Sequence, residues 1–330
     1  MQQPYLMFLG DVQDQLAAKT CDGIVHWRPD WCIGQFRLPD CKADVRLSDL
    51  TLAEGLERGA KTLVIGVANP GGRLPRHWTD SIVDALQRGY DVASGLHDKL
   101  SAIPQIAAAA KKYNRQLFDV RHPSGQFSTG TGVKRPGKRC LAVGTDCSVG
   151  KMYTPLAMEK EMLSRGMKVS FRATGQTGIF ISGKGIAVDA VVSDFISGVV
   201  EKICPANDSN HWDLVEGQGS LFHPAFAGVT LGLIHGAQPD ALILCHEPTR
   251  THMRGLPHQP VPDLKICMEH NLAAARLTNP DAKFIGISIN TARMDSADAD
   301  AYLTEVEQQF DLPTVDPVRT GVNRLVDNLS

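Results

Sequence analysis

The sequence lacks several features that would each point to a particular class of protein. No apolar run approaches the ~18 residues needed to span a bilayer, and Met1-Gln2-Gln3-Pro4 has neither the charged start nor the apolar core of an export signal. A cytoplasmic protein that does not enter membranes is therefore expected. There is no basic excess: 34 Lys and Arg oppose 36 Asp and Glu, a net charge of −2. That balance gives no general attraction to nucleic acid or to an anionic membrane, although a local patch can still hold phosphates. The eight cysteines (21, 32, 41, 140, 147, 204, 245, 267) contain no Cys-x-x-Cys pair. A chain of 330 residues does not need disulfide staples. Reduced thiols are expected, with Cys140 and Cys245 lying inside apolar runs as small buried hydrophobes. Neither half contains an internal repeat or a low-complexity tract.

What is present reads as an α/β protein of two domains. Apolar residues are 43% and charged residues 21% of the chain, ordinary for a folded globular protein, and the length favours two domains over one. In residues 1–121, Tyr5–Leu9, Lys61–Val67, Tyr90–Ala93 and Gln116–Val120 read as strands, with helices at Trp78–Gly89 and Ile103–Tyr113 between them. Strand and helix in alternation imply a Rossmann-like parallel sheet covered on both faces. Gly66–Gly72 follows a strand but lacks a complete dinucleotide fingerprint, and reads as a turn. Residues 122–138 are polar and rich in Gly, Pro, Ser and Thr, a linker signature. From 139 to 330 the alternation resumes, with strands near 139–145, 168–174, 212–216, 240–246 and 283–289.

The strongest chemical signal is in that second half. A strand leads into Gly144-Thr145-Asp146-Cys147-Ser148-Val149-Gly150-Lys151-Met152, and a helix follows, with Met152, Leu156 and Leu163 at helical spacing and Gly166 as a stop. Strand, Gly-rich loop, Gly-Lys and helix form a phosphate-binding context: backbone N–H groups converge on an anion at a helix start, and Lys151 adds charge. Two departures matter. Five residues, not four, separate Gly144 from Gly150, and Met152 stands where Ser or Thr normally holds Mg²⁺. A thioether is a poor ligand for that hard cation, and phosphoryl transfer leans on the ion. A diphosphate that is gripped and not cleaved does not need it.

The loop resembles that of dethiobiotin synthetase, a P-loop ligase that uses ATP, in its Gly-Thr-Asp start and Val-Gly-Lys end. Glu216–Ser220 resembles that enzyme's Glu-Gly-Ala-Gly segment. Over nearly its full length the chain is more similar to the D-glutamate N-acetyltransferases of bacterial D-amino-acid catabolism, a P-loop family long without assigned function. The likeness is carried by Gly144–Lys151, Ala173–Gly178, Val188–Phe195, Glu216–Pro224 and His235–Ala241. It implies transfer of an acetyl group from acetyl-CoA to the amine of D-glutamate, with CoA offering a diphosphate to be held intact.

Such a transfer needs a base for the ammonium, donors for the oxyanion and a cationic clamp for two carboxylates. Glu216 and His223 flank a Gly-rich turn and are candidate bases; a turn-capping Glu216 and a loop-tying Gln218 are the structural alternatives. Asp189 and Asp194 flank an apolar, strand-like segment, so that one could face the crevice, and Asp194 could equally cap a helix. Arg172 and Arg250 follow strands on the ligand-binding edge of the sheet and are the candidate clamp, with Gln218 beside them. Gly144 to Met152 would hold the CoA phosphates, and the dethiobiotin synthetase likeness suggests Asn290 for the adenine. Seven of eleven histidines lie between His211 and His270, but His246, His252 and His258 at six-residue spacing match no typical zinc pattern. Neither a bound metal, a tight cofactor nor required magnesium is expected. The partners expected are acetyl-CoA and D-glutamate, with a homodimer as the default assembly. A magnesium-ATP ligase or kinase and a non-catalytic nucleotide sensor are the alternatives.

Overall fold

A computed structural model describes residues 1–67 and 72–329. The centre of the Gly66–Gly72 turn, Ala68–Gly71, lies outside the described residues. The chain forms two compact units, Met1–Ser124 with Gln176–Ala190, and Gly125–Gly175 with Val191–Ser330. The chain thus changes unit after Ser124, and Gln176–Ala190, read from sequence as part of the second domain, packs within the first.

The first unit contains β1 (Tyr5–Gly10), α1 (Lys19–Trp27), β2 (Cys32–Arg37), α2 (Leu52–Glu57), β3 (Thr62–Ile65), α3 (Thr79–Arg88), β4 (Asp91–Ser94), α4 (Pro104–Lys112) and β5 (Leu117–Asp119). All neighbouring strands are parallel, in the order β2-β1-β3-β4-β5. Every residue of β1, β3 and β4 is buried, as continuous apolar runs require in a sheet covered on both faces. The helices carry local start and stop signals. Thr51 and Glu54 form a reciprocal capping box at α2, and Gly89 ends α3 in the left-handed region.

The following elements are β6 (Lys138–Gly144), α5 (Tyr153–Ser164), β7 (Val169–Arg172) and α6 (Gln176–Ser182), the last in the first unit beside α1. The second unit continues with α7 (Ile196–Ile203), β8 (Trp212–Val215), α8 (Ala227–Ala237), β9 (Ala241–His246), β10 (His252–Met253), β11 (Leu256–Pro260), α9 (Leu264–Arg276), β12 (Lys283–Ile289), α10 (Ser296–Phe310), β13 (Thr314–Val315) and α11 (Asn323–Asp327). Its main sheet is parallel, in the order β13-β12-β9-β6-β8-β7, and β10 and β11 form a separate antiparallel hairpin. One face of the main sheet is filled by Met158 and Met162 of α5, Trp212, Leu214, Ile243 and Ile285 of the strands, and Leu325 and Val326 of α11. Burying each such side chain is worth roughly 1.5–3 kcal/mol.

Three readings need correction. Leu163 is not on the buried face of α5; it is 56% exposed, and Met158 and Met162 take that place. The apolar stretch between Asp189 and Asp194 is not a strand but two short 3-10 turns, Val188–Ala190 and Ser193–Phe195. Residues 252–260, which lie outside every strand expected from the sequence, form the β10–β11 hairpin.

Candidate functional site

The register of the second sheet brings three strand ends together. Gly144 of β6 lies beside Cys245 of β9, and Leu141 of β6 beside Val215 of β8. The loops that follow these strands, beginning at Thr145, Glu216 and Glu247, therefore emerge along one edge. The chain winds from β6 to β7 and β8 on one side and then crosses to β9 on the other, the reversal of strand order at which open α/β sheets form ligand crevices.

Asp146 organises the phosphate loop from within. Its side chain is fully buried. One carboxylate oxygen accepts the Cys147 N–H at 2.6 Å; the other accepts Arg250 Nη1 at 2.6 Å and the Arg254 N–H at 2.7 Å. Lys151 Nζ donates to the Asp146 carbonyl at 2.5 Å. Burial pulls the Lys151 ammonium below its ordinary pKa, since a charge removed from water is disfavoured unless an anion compensates it. Among the described residues no hydrogen bond occupies the N–H groups of Val149, Gly150 and Lys151. Gly150 takes φ +111°, a conformation an L side chain would strain, and so lets the loop turn into α5.

Arg250 belongs to this loop. Besides Asp146 it reaches the Cys147 carbonyl at 2.7 Å and Glu247 at 2.5 Å. Glu247 also accepts from Thr249 and lies 3.5 Å from Arg293. The β10–β11 hairpin brings in a further cation, Arg254, whose guanidinium donates to Ser148 Oγ. The sequence reading did not single out Arg254, because a loop and a hairpin about a hundred residues apart meet only in the fold. Lys151 and Arg254 thus gather at a loop with unused amides, an anion-binding arrangement, while Arg250, matched by Asp146 and Glu247, braces the loop.

The remaining wall is tightly fitted. A Cβ on Gly217 would lie 1.7 Å from the Ala142 carbonyl, so only glycine lets the segment after β8 cross β6. Glu216 Oε2 accepts the Thr174 and Gly175 N–H groups at 2.8 and 2.9 Å, and Thr174 Oγ1 donates to the Glu216 carbonyl at 2.7 Å. Gln218 Nε2 donates to Thr174 Oγ1 at 3.2 Å. Here Glu216 caps a turn and Gln218 ties loops together. His223 is buried; its Nε2 bonds the Arg254 carbonyl at 3.1 Å and its Nδ1 accepts the Ala225 N–H at 3.2 Å, so neither nitrogen is spare. Asp146, Cys147 and His223 offer ligand atoms within 4.8 Å of one another, but Arg250 is already paired to one oxygen of Asp146 and both His223 nitrogens are engaged. Burial raises the Cys147 thiol above its ordinary pKa, which keeps it protonated and weakly nucleophilic.

Other expected members are placed elsewhere. Arg172 turns back along the sheet to Asp213, with both Nε and Nη2 at 2.8 Å from one carboxylate oxygen, so its charge is matched by a buried acid rather than offered to a ligand. Asp189 lies in the first unit, 3.4 Å from Arg121. Asn290 closes a turn: its Oδ1 accepts the Ala292 N–H, and its own N–H donates to the His246 carbonyl. His246 ends β9 with Nδ1 3.0 Å from Thr145 Oγ1, and burial brings its pKa down to about 4, leaving the ring neutral. The residue after Lys151 is Met152. The nearby Thr154 hydroxyl is bound to Ser288 Oγ at 2.7 Å and to the Gly150 carbonyl at 3.2 Å.

Residues 126–326 match the P-loop domain and residues 37–123 the Rossmann-like domain of DUF1611, each described as a domain of unknown function. The chain is 57% identical over 330 residues to a D-glutamate N-acetyltransferase of Tritonibacter scottomollicae, covering 100% of this chain and 99% of that one. It is 49% identical over 326 residues to a D-glutamate N-acetyltransferase of a Pseudoalteromonas species, covering 99% and 98%. The chain belongs to this family. A crystal structure of a DUF1611 family protein from Anabaena variabilis is similar over 99% of both chains, at 31% identity and a TM-score of 0.86. The Rossmann-like and P-loop organisation of the family is that of this chain. No helix among the described residues is long and apolar enough to cross a membrane.

Proposed function

We infer that this chain is an acyltransferase that moves the acetyl group of acetyl-CoA to the amine of D-glutamate, giving N-acetyl-D-glutamate and CoA. The full-length match to two D-glutamate N-acetyltransferases carries this reading. The amine nitrogen attacks the thioester carbonyl, the N–C bond forms, the C–S bond breaks, and the amine loses a proton as CoA leaves. The phosphate loop supports the reading in two ways. Lys151, Arg254 and the loop amides suit a diphosphate. Met152 replaces the hydroxyl that would hold magnesium, and the Thr154 hydroxyl is already bonded to Ser288 and the Gly150 carbonyl. A donor whose phosphates stay intact is the better fit to that chemistry than a cleaved nucleotide.

The decisive measurement is thiol release from acetyl-CoA against a panel of D- and L-amino acids, with ATP turnover followed in parallel and with EDTA present or absent. Release specific to D-glutamate and unaffected by EDTA is the expected result. ATP turnover that requires added magnesium, with no thiol released, would replace this reading by the ligase or kinase alternative.

A further inference from the structure

The first unit holds a cleft of about 500 Å³, within the range of small-molecule sites. It lies at the carboxyl end of β5, on the side where open parallel sheets receive ligands. Phe118 and Ile186 give it apolar walls, while Lys99, Lys184, His122 and Asp119 supply charge and polarity. Part of the lining comes from Gly183–Ile186, in the segment that leaves the second half of the sequence to complete this unit.

The balance of charge in the cleft is positive. Asp119, the only acidic side chain among the described residues that line it, accepts the Leu100 N–H at 2.6 Å, the Ser101 N–H at 3.2 Å and the Ser101 hydroxyl at 2.7 Å. Its carboxylate caps the 3-10 turn Leu100–Ala102 and is not directed to a lysine. Lys99 and Lys184 come from separate segments, and among the described residues neither has a carboxylate within ion-pair distance. His122 Nε2 donates to the His97 carbonyl at 2.8 Å, and among the described residues no hydrogen bond uses its Nδ1. Two lysine ammonium groups from separate segments, one imidazole and a short apolar wall are complementary to a small amino acid with two carboxylates.

We propose that this cleft binds the acceptor dicarboxylate, with Lys99 and Lys184 each holding a carboxylate and His122 Nδ1 accepting from the α-ammonium. The assignment of that dicarboxylate as D-glutamate rests on the function proposed above; the cleft's preference for a dicarboxylate does not.

The test uses the full chain with Lys99→Gln, Lys184→Gln and the double variant, Lys→Arg at each position as the charge-conserving control, and thermal melting to verify folding. Steady-state KM is measured for D-glutamate and acetyl-CoA, and binding of D-glutamate and glutarate is measured by calorimetry. Each Gln variant is expected to raise the D-glutamate KM about tenfold, as for one lost charge-assisted contact. The double variant should lose calorimetric binding of both dicarboxylates, the Arg variants should retain it, and the acetyl-CoA KM should stay unchanged throughout. An unchanged D-glutamate KM in a folded, active double variant overturns the cleft and leaves the acetyltransferase reading standing, as does a rise confined to the acetyl-CoA KM. If the wild type transfers no acetyl group, the function falls, and calorimetry still decides the cleft: loss of dicarboxylate binding in the double variant upholds it, while wild-type protein that binds neither compound overturns it.

Discussion

Arg250→Lys separates two roles that the sequence alone leaves indistinguishable. As a substrate clamp, Arg250 would affect the acceptor. The structure instead ties its guanidinium to Asp146, the Cys147 carbonyl and Glu247, at 2.6, 2.7 and 2.5 Å, with 17% of the side chain exposed. A lysine ammonium keeps the charge but cannot reproduce the planar fork that spans two carboxylates. Removing one partner of a buried ion pair outright costs about 3–5 kcal/mol. With charge retained, loss of one or two charge-assisted bonds is closer to ~1.5–3 kcal/mol of stability. The same carboxylate of Asp146 also holds the Cys147 and Arg254 N–H groups, so slack there passes directly to the phosphate loop. A comparable loss in donor binding would weaken acetyl-CoA affinity about 10- to 150-fold. Calorimetry with acetyl-CoA, a urea melt and the D-glutamate KM at saturating acetyl-CoA measure the three effects. Lower stability and weaker acetyl-CoA binding, with the D-glutamate KM nearly unchanged, is the expected pattern. A raised D-glutamate KM with normal acetyl-CoA affinity would refute the loop-bracing role and return Arg250 to the acceptor.

Three further outcomes follow from the site. Lys151→Met should raise the thermal stability of the ligand-free protein, because it removes a buried ammonium whose burial lowers its pKa, while weakening acetyl-CoA binding by ~1.5–3 kcal/mol; melting and calorimetry on one preparation check both signs. Gly217→Ala places a methyl 1.7 Å from the Ala142 carbonyl, so the backbone must shift, and a melt showing a loss below ~1 kcal/mol would contradict the overpacking expected there. His246→Gln should flatten the acid side of the stability profile. The folded ring titrates near 4 against an ordinary 6.5, so the unfolded chain binds the proton more readily, and stability is lost as pH falls from about 6.5 toward 4. Denaturant melts should show this difference between wild type and variant reaching about 3 kcal/mol near pH 4.

The parts of the fold legible in the sequence are those with a local physical signature. The runs Tyr5–Leu9 and 240–246 are buried on both faces, so they read as unbroken apolar stretches and match β1 and β9 closely. β2 was missed because Cys32–Arg37 contains Gly34 and Gln35 and is only partly buried at the sheet edge, where no continuous apolar run is needed. α1 was obscured by Asp22 and Gly23 in its middle. The phosphate loop was legible because a backbone-built anion site needs glycines at fixed places, whatever the rest of the chain does. The side-chain assignments were harder to read. A position at a strand end does not say which way a long side chain turns: Arg172 folds back onto Asp213 and Arg250 folds into the loop. Arg254 was hidden for a different reason, since its site role depends on where the Gly255 turn of a short hairpin comes to rest.

Those side-chain assignments also bear on how the loop would balance charge. In phosphoryl transfer a mobile divalent cation neutralises phosphate oxygens and follows the charge as a bond breaks. Here the hydroxyl position is Met152, and three cationic side chains, Lys151, Arg250 and Arg254, stand at the loop. Arg250 is fixed by two carboxylates, Arg254 is placed by its own N–H on Asp146, and Lys151 is held at the Asp146 carbonyl. Asp146 thus sets the position of all three positive groups, and none of them needs to travel. Fixed guanidinium groups suit an anion whose charge stays constant from binding to release, as a CoA diphosphate does, because their orientation is established on folding and need not be rearranged at each turnover. For the proposed reaction, the change in charge occurs at the thioester and the amine. The phosphate loop then has only to hold the donor, and a rigid loop without a metal ligand at position 152 is sufficient for that task.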